Sequence, residues 1–159
     1  METISDSSAN GNSGAIKAIG FAGLIAGILD LTAACVTNYH LNPKIIFQSI
    51  AAGIYGKASY EGGAKTAIIG VFLHFVIAFG AAIVFYLASR KIRFLVDQPT
   101  ISGIIYGILV YWFMQLVILP LSNFPSKFNF ALVSVIVGLI VHILCIGLPI
   151  AFIVRRFSK

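Results

Sequence analysis

Four apolar stretches, each about as long as a helix must be to cross a bilayer, take up most of this 159-residue chain. A hydrocarbon core takes roughly 20 apolar residues in a helix that rises about 1.5 Å per residue. Backbone immersed in lipid must satisfy its own hydrogen bonds, so such stretches read as helices. The spacing predicts spans near residues 15–37, 64–88, 100–119 and 130–154. Composition agrees: 59% of the residues are hydrophobic and 10% charged, against about 25% charged in soluble domains. The expected fold is all-α, a four-helix transmembrane bundle, with residues 14–159 as a single membrane domain. The polar, small-residue start (METISDSSANGN) is expected to be a disordered cytoplasmic tail over residues 1–13.

The first span is expected to remain as a helix. A cleaved leader has a basic start and a shorter apolar run, whereas this chain begins with Glu2 and Asp6 and carries Asp30 inside the run. Thr32-Ala33-Ala34-Cys35 lacks the leucine of a lipoprotein cleavage box. With four spans, Lys17, Arg90, Lys91, Arg93, Arg155, Arg156 and Lys159 share one side, and Lys44, Lys57, Lys65 and Lys127 the other. The excess of basic residues marks the cytoplasmic side, so both termini are expected in the cytoplasm. The net charge of +6 is then mostly topology. Because these residues flank spans and form no stripe on a folded surface, a nucleic-acid partner is disfavoured.

Between the first two spans, Asn42-Pro43 predicts a helix start, since Asn caps and Pro needs no N–H in the first turn. Ile46, Ile50 and Ile54 recur every four residues with Phe47 and Ala51 beside them, while Lys44, Gln48 and Ser49 take the other side. A helix over 43–55 is too short to span. It is expected at the outer interface, or as a partial lid over the bundle.

The chain also reads as a repeat. Gly23-x-x-x-Gly27-Ile28-Leu29 in the first span matches Gly103-x-x-x-Gly107-Ile108-Leu109 in the third. Gly70-x-x-x-His74 in the second matches Gly138-x-x-x-His142 in the fourth, and an outer Asn and Pro follow in each half (Asn42-Pro43; Asn123 and Pro125). A duplicated two-helix hairpin explains this, its halves related by an axis along the membrane normal; chance matching of glycine-rich helices is the alternative.

Small residues three and four apart let membrane helices approach closely. Gly20, Gly23, Gly27, Asp30 and Ala34 share one face of the first span, and Ala67, Gly70, His74, Ala78 and Ala81 one face of the second. In the fourth, Ala131, Ser134, Gly138, His142, Cys145 and Pro149 align; in the third, Gly103 and Gly107 lead to Tyr111 and Gln115. Gly20, Gly23, Gly27, Gly70, Gly103, Gly107 and Gly138 are therefore expected to pack helices.

Each polar group thus sits on a packing face. Counted at 1.5 Å per residue, Asp30 lies about 10 Å from the outer end of its span, His74 about 15 Å, His142 about 17 Å and Gln115 about 6 Å. A carboxylate at such depth costs about 2.5 kcal/mol or more, so it is expected to be protonated, paired or wet. Asp30, His74 and His142 are expected to converge, with Asp30 hydrogen-bonded to an imidazole directly or through one water. Gln115 and Tyr111 complete the candidate site, and a packing role is the alternative for each member.

Enzyme motifs are missing. Gly62-Gly63-Ala64-Lys65-Thr66 lacks the Gly-Lys pair of a phosphate loop, and no zinc-protease, nucleophile-elbow or dinucleotide signature occurs. His142-x-x-Cys145 supplies two residues where a zinc site needs more, and Cys35 and Cys145 lie at different depths. No catalytic residue, metal or cofactor is expected.

Gly23-Leu24-Ile25-Ala26-Gly27, the His74 span, and Gly103-x-x-x-Gly107 running to Pro120-Leu121 resemble a group of small bacterial inner-membrane proteins typified by YagU. The resemblance covers about half the chain, which lacks that group's longer outer loop. It implies a bacterial cytoplasmic (inner) membrane and no particular activity.

The functional expectation is an accessory or structural membrane subunit, embedded in the lipid bilayer as a homo-oligomer or within a larger complex. Two alternatives stand beside it. One is a small proton or solute pathway using Asp30, His74 and His142. The other is a b-type haem protein with His74 and His142 as axial ligands.

Overall fold

The computed structural model describes residues 4–125 and 131–158. Residues 1–3, Lys127, Phe130 and Lys159 lie outside them. Among the described residues there are helices and no strands. Helix α1 covers Ile4–Thr37, with its apolar part at Gly14–Thr37. It begins upstream of the expected span and takes in residues 4–13, assigned above to a disordered tail. Next come α2 (Pro43–Tyr55), a 3-10 turn (Gly56–Tyr60), α3 (Gly63–Ser89) and the short α4 (Phe94–Asp97). Helices α5 (Pro99–Leu121) and α6 (Leu132–Phe157) complete the chain. The apolar part of α1, together with α3, α5 and α6, is long and apolar enough to cross a membrane. The protein is a multi-pass membrane protein built as a four-helix bundle.

Helix α2 forms where the sequence places it. The Asn42 side chain accepts the Lys44 N–H at 2.9 Å, and Pro43 occupies the first turn. The helix stops at Gly56, whose φ of 58° suits a residue without Cβ. Its faces differ from the expected ones. Gln48, placed above on the polar side, is 2% exposed, while Ile45 and Ile54 are exposed. The Gln48 amide donates to the carbonyl of Gly63 (3.0 Å) and to the Thr66 hydroxyl (3.2 Å). Thr66 donates to the Ser59 carbonyl and Ser59 to the Gln48 carbonyl, both at 2.6 Å. A buried amide is stable only with partners, and the turn at 56–60 supplies them. This knot holds α2 flat on α3.

The spans pack in the order α3, α1, α6, α5. Helix α1 lies against α3 on one side and α6 on the other, and α5 lies against α6. Helices α3 and α5 make little backbone contact and are bridged by Tyr106, whose hydroxyl donates to the Ala81 carbonyl at 2.6 Å. The glycines explain the tight pairs. A methyl group on Gly23 would enter the Phe79 ring, and one on Gly27 the Phe75 ring. On Gly107 it would come within 2.6 Å of Ile143 Cα, and on Gly103 within 3.0 Å of the Gly147 carbonyl. These contacts correspond between the halves. Gly27 faces Phe75 as Gly107 faces Ile143, and Gly23 faces Phe79 as Gly103 faces Gly147.

One glycine expectation needs correction. Gly20 has no neighbouring atom within 4 Å of where a Cβ would stand, so it packs no helix. Gly70 does pack a helix, its partner being the backbone of α2 at Phe47 and Ala51. Gly138 packs as expected, against the Tyr111 ring.

The apolar core gathers toward the side of the termini. Ala22, Ala26, Ala82, Phe85, Ile146, Ile150, Ala151 and Val154 form it, and they seal that half of the bundle. The other half is irregular. Helix α5 widens to a π turn at Met114–Ile118 and α6 at His142–Gly147. Each widened turn is followed at once by Leu-Pro, at Pro120 and Pro149. A proline ring in a helix collides with the carbonyl four residues back, and a wider turn moves that carbonyl aside.

Candidate functional site

The half left open by the core contains a cavity of about 310 Å³ between the four spans, with α2 over it. Asp30 from α1, His74 from α3, Gln115 from α5 and His142 from α6 all line it. The sequence faces bring these four together, and each is only partly exposed. Tyr111 stands behind the wall, 1% exposed, with its ring edge-on to His142 at 5.3 Å. Its role is to support the His142 ring. Gln115 and His142 both sit in the π turns. Such turns rotate the residues after them relative to a regular helix, and they are frequent at functional sites.

Of the contacts expected between Asp30 and an imidazole, the direct hydrogen bond is not made. His74 Nε2 lies 2.9 Å from the Gly27 carbonyl on α1, and His142 Nδ1 lies 2.9 Å from the Gly138 carbonyl of its own helix. The reason is local. Gly27 has no Cβ to shield its carbonyl from the facing helix, and Gly138, four residues before His142, lies on the same face. Both carbonyls are closer partners than a carboxylate across an open space. A carbonyl only accepts, so each ring donates there. A neutral His74 then keeps Nδ1 as an acceptor, and a neutral His142 keeps Nε2.

The resulting pocket is rich in acceptors. Asp30 has neither a hydrogen bond nor an ion pair among the described residues. Gln115 Oε1 is buried with no hydrogen-bond partner. No Lys or Arg among the described residues lines the cavity. A buried acceptor without a donor costs about 1–3 kcal/mol, so the Gln115 oxygen, with the Asp30 carboxylate lining the same cavity, defines what would settle there: a species that donates hydrogen bonds and carries positive charge.

Sequence reasoning missed Asn38, Ser49 and Met114, which also line the cavity. Asn38 lies eight residues after Asp30, about two helical turns along the same face, a spacing that could have included it. Ser49 is contributed by α2, which the sequence offered as a partial lid without saying which of its residues would face the bundle. The π turns were missed too, although Pro120 and Pro149 inside apolar spans were their signal.

No protein family, curated protein or solved structure matches the chain.

Proposed function

We propose that this protein binds a small hydrogen-bond-donating cation in an intramembrane pocket, with Asp30 and Gln115 as the principal acceptors. One observation carries the reading: the acid and the unpaired amide oxygen, on different spans, line the same cavity with no Lys or Arg among its described walls. His74 and His142 line the same cavity, each with one ring nitrogen held by a backbone carbonyl. On the positive-inside pattern and the resemblance to the YagU group, the termini lie in the cytoplasm of a bacterium and the pocket in the outer half of its inner membrane. Matching glycine contacts in the two hairpins support their origin by duplication.

The other readings have less behind them. The GxxxG faces on which an accessory subunit would dock are taken up by internal packing, Gly23 and Gly27 on α3 and Gly103 and Gly107 on α6. A bis-histidine haem needs both imidazoles on one iron, and His74 commits Nε2 to the Gly27 carbonyl.

Methylammonium titrated into the protein in phosphatidylcholine nanodiscs tests the proposal. Saturable one-to-one binding is expected, weakened at least about tenfold, or 1.4 kcal/mol, by Asp30→Asn and unaffected by Asp97→Asn, which lies outside the cavity. Equal affinity in wild type and Asp30→Asn would overturn it.

A further inference from the structure

The polar cavity has an apolar neighbour. A groove of about 400 Å³ runs beside it between α3, α5 and α2. The two spaces share Ser49, Ile50, Ile77, Met114 and Leu119 as walls, so they adjoin across these side chains. Beyond those shared residues the groove is walled by Leu73, Ile118, Ile54 and Phe124. We infer that the occupant of the pocket is a single-chain amphiphile with an ammonium head, which enters sideways from the bilayer between α3 and α5. This inference rests on the cation-binding reading above and names the class of cation.

Three features set the direction of entry. First, α3 and α5 are the adjacent pair with little backbone contact, and Tyr106 closes the gap between them only on the side of the termini. Second, α2 roofs the gap and is tied down at both edges. The Gln48 knot fastens it to α3, and beyond α5 the Asn123 backbone N–H donates to the Gly53 carbonyl while its side chain donates to that of Ile54, both at 2.8 Å. With floor and roof fixed, the free approach is lateral. Third, polarity changes along the path. The groove is apolar, with Ile54 and Ile77 partly exposed to the surroundings, and the cavity behind it holds the unpaired acceptors of Asp30 and Gln115. A molecule matching that gradient has an apolar chain and a donating, positively charged end. A free inorganic cation would leave the groove unused. A lipid anion would face Asp30 with like charge, which is destabilising at short range.

The test uses dodecylammonium with a photoreactive diazirine at the end of its chain, added to the full protein in phosphatidylcholine nanodiscs. After illumination, peptide mass spectrometry should place adducts mainly in 50–54, 73–77 and 114–119. Excess methylammonium and Asp30→Asn should each lower them at least about fivefold. Leu73→Trp, which fills the groove at a residue that does not line the cavity, should lower adducts similarly and leave methylammonium binding intact. Adducts spread over lipid-facing positions such as Phe72, Val84 and Leu87 would overturn the inference. So would an identical, methylammonium-insensitive pattern from the matching alcohol. If methylammonium still binds through Asp30 in either case, the lateral amphiphile falls and the cation pocket stands. If methylammonium binding is itself indifferent to Asp30→Asn, both fall.

Discussion

His74 Nε2 reaches the carbonyl oxygen of Gly27 across the interface of α3 and α1, at 2.9 Å. The bond joins two spans, whereas the corresponding His142 bond closes within α6. The two histidines at matching positions of the halves thus have different mechanical roles. Hydrogen bonds between membrane helices average about 0.6 kcal/mol and reach about 1.7 kcal/mol. Thermal unfolding in mild detergent should show His74→Ala less stable than wild type by about 1 kcal/mol and His142→Ala by less. A larger loss in His142→Ala would show that the interhelical bond is not what holds α1 to α3.

Glycine substitutions separate contact from composition. Gly70→Ala drives a methyl group into the Phe47 carbonyl, which belongs to backbone and cannot swing away. Overpacking of this kind costs about 1–3 kcal/mol, and a drop of several degrees in Tm is expected. Gly20→Ala meets no atom within 4 Å and gains helix propensity, up to about 1 kcal/mol. Its Tm should hold or rise. If the two variants shift Tm alike, the close approach of α2 to Gly70 is wrong.

The Gln48 amide can be tested through its donor role. Gln48→Leu leaves the carbonyl of Gly63 and its neighbours short of a donor, a loss of about 1–3 kcal/mol. Gln48→Glu keeps the shape and, when ionised, removes the donor, so it should rescue nothing. Hydrogen exchange over 43–55 should speed up in both variants. A Gln48→Glu protein with wild-type exchange would mean that α2 is held by apolar contact alone.

The sequence shows the spans and α2 well because lipid makes hydropathy and helix length nearly the same signal. Gly23 with Gly27, and Gly103 with Gly107, were legible because close approach demands small residues at helical spacing. Gly20 was not: α1 meets α6 on either side of it, with Ala18 fully buried and Phe21 stacked on Phe157, and a stripe does not say which of its small residues faces the neighbour. Gln48 was misread for a related reason. On a helix of isoleucines a glutamine looks solvent-facing, and only the turn at 56–60, folding back, turns that face inward. For the candidate site, the faces of Asp30, His74, Gln115 and His142 predicted convergence and the structure brings them to one cavity. Their hydrogen bonds were beyond reach, since the choice between a carboxylate and a bare glycine carbonyl depends on ångström-scale distances.

Above its π turn, the Leu132–Val141 part of α6 has no buried residue, while Ile150, Ala151 and Val154 below it are fully buried. Local unfolding follows such gradients in burial. The upper arm of α6 is thus held by fewer protein contacts than its lower arm, and amide protection should fall along a single helix from one end to the other. A chamber with one anchored end and one loosely held wall can exchange its contents by breathing, with the sealed half of the bundle standing still.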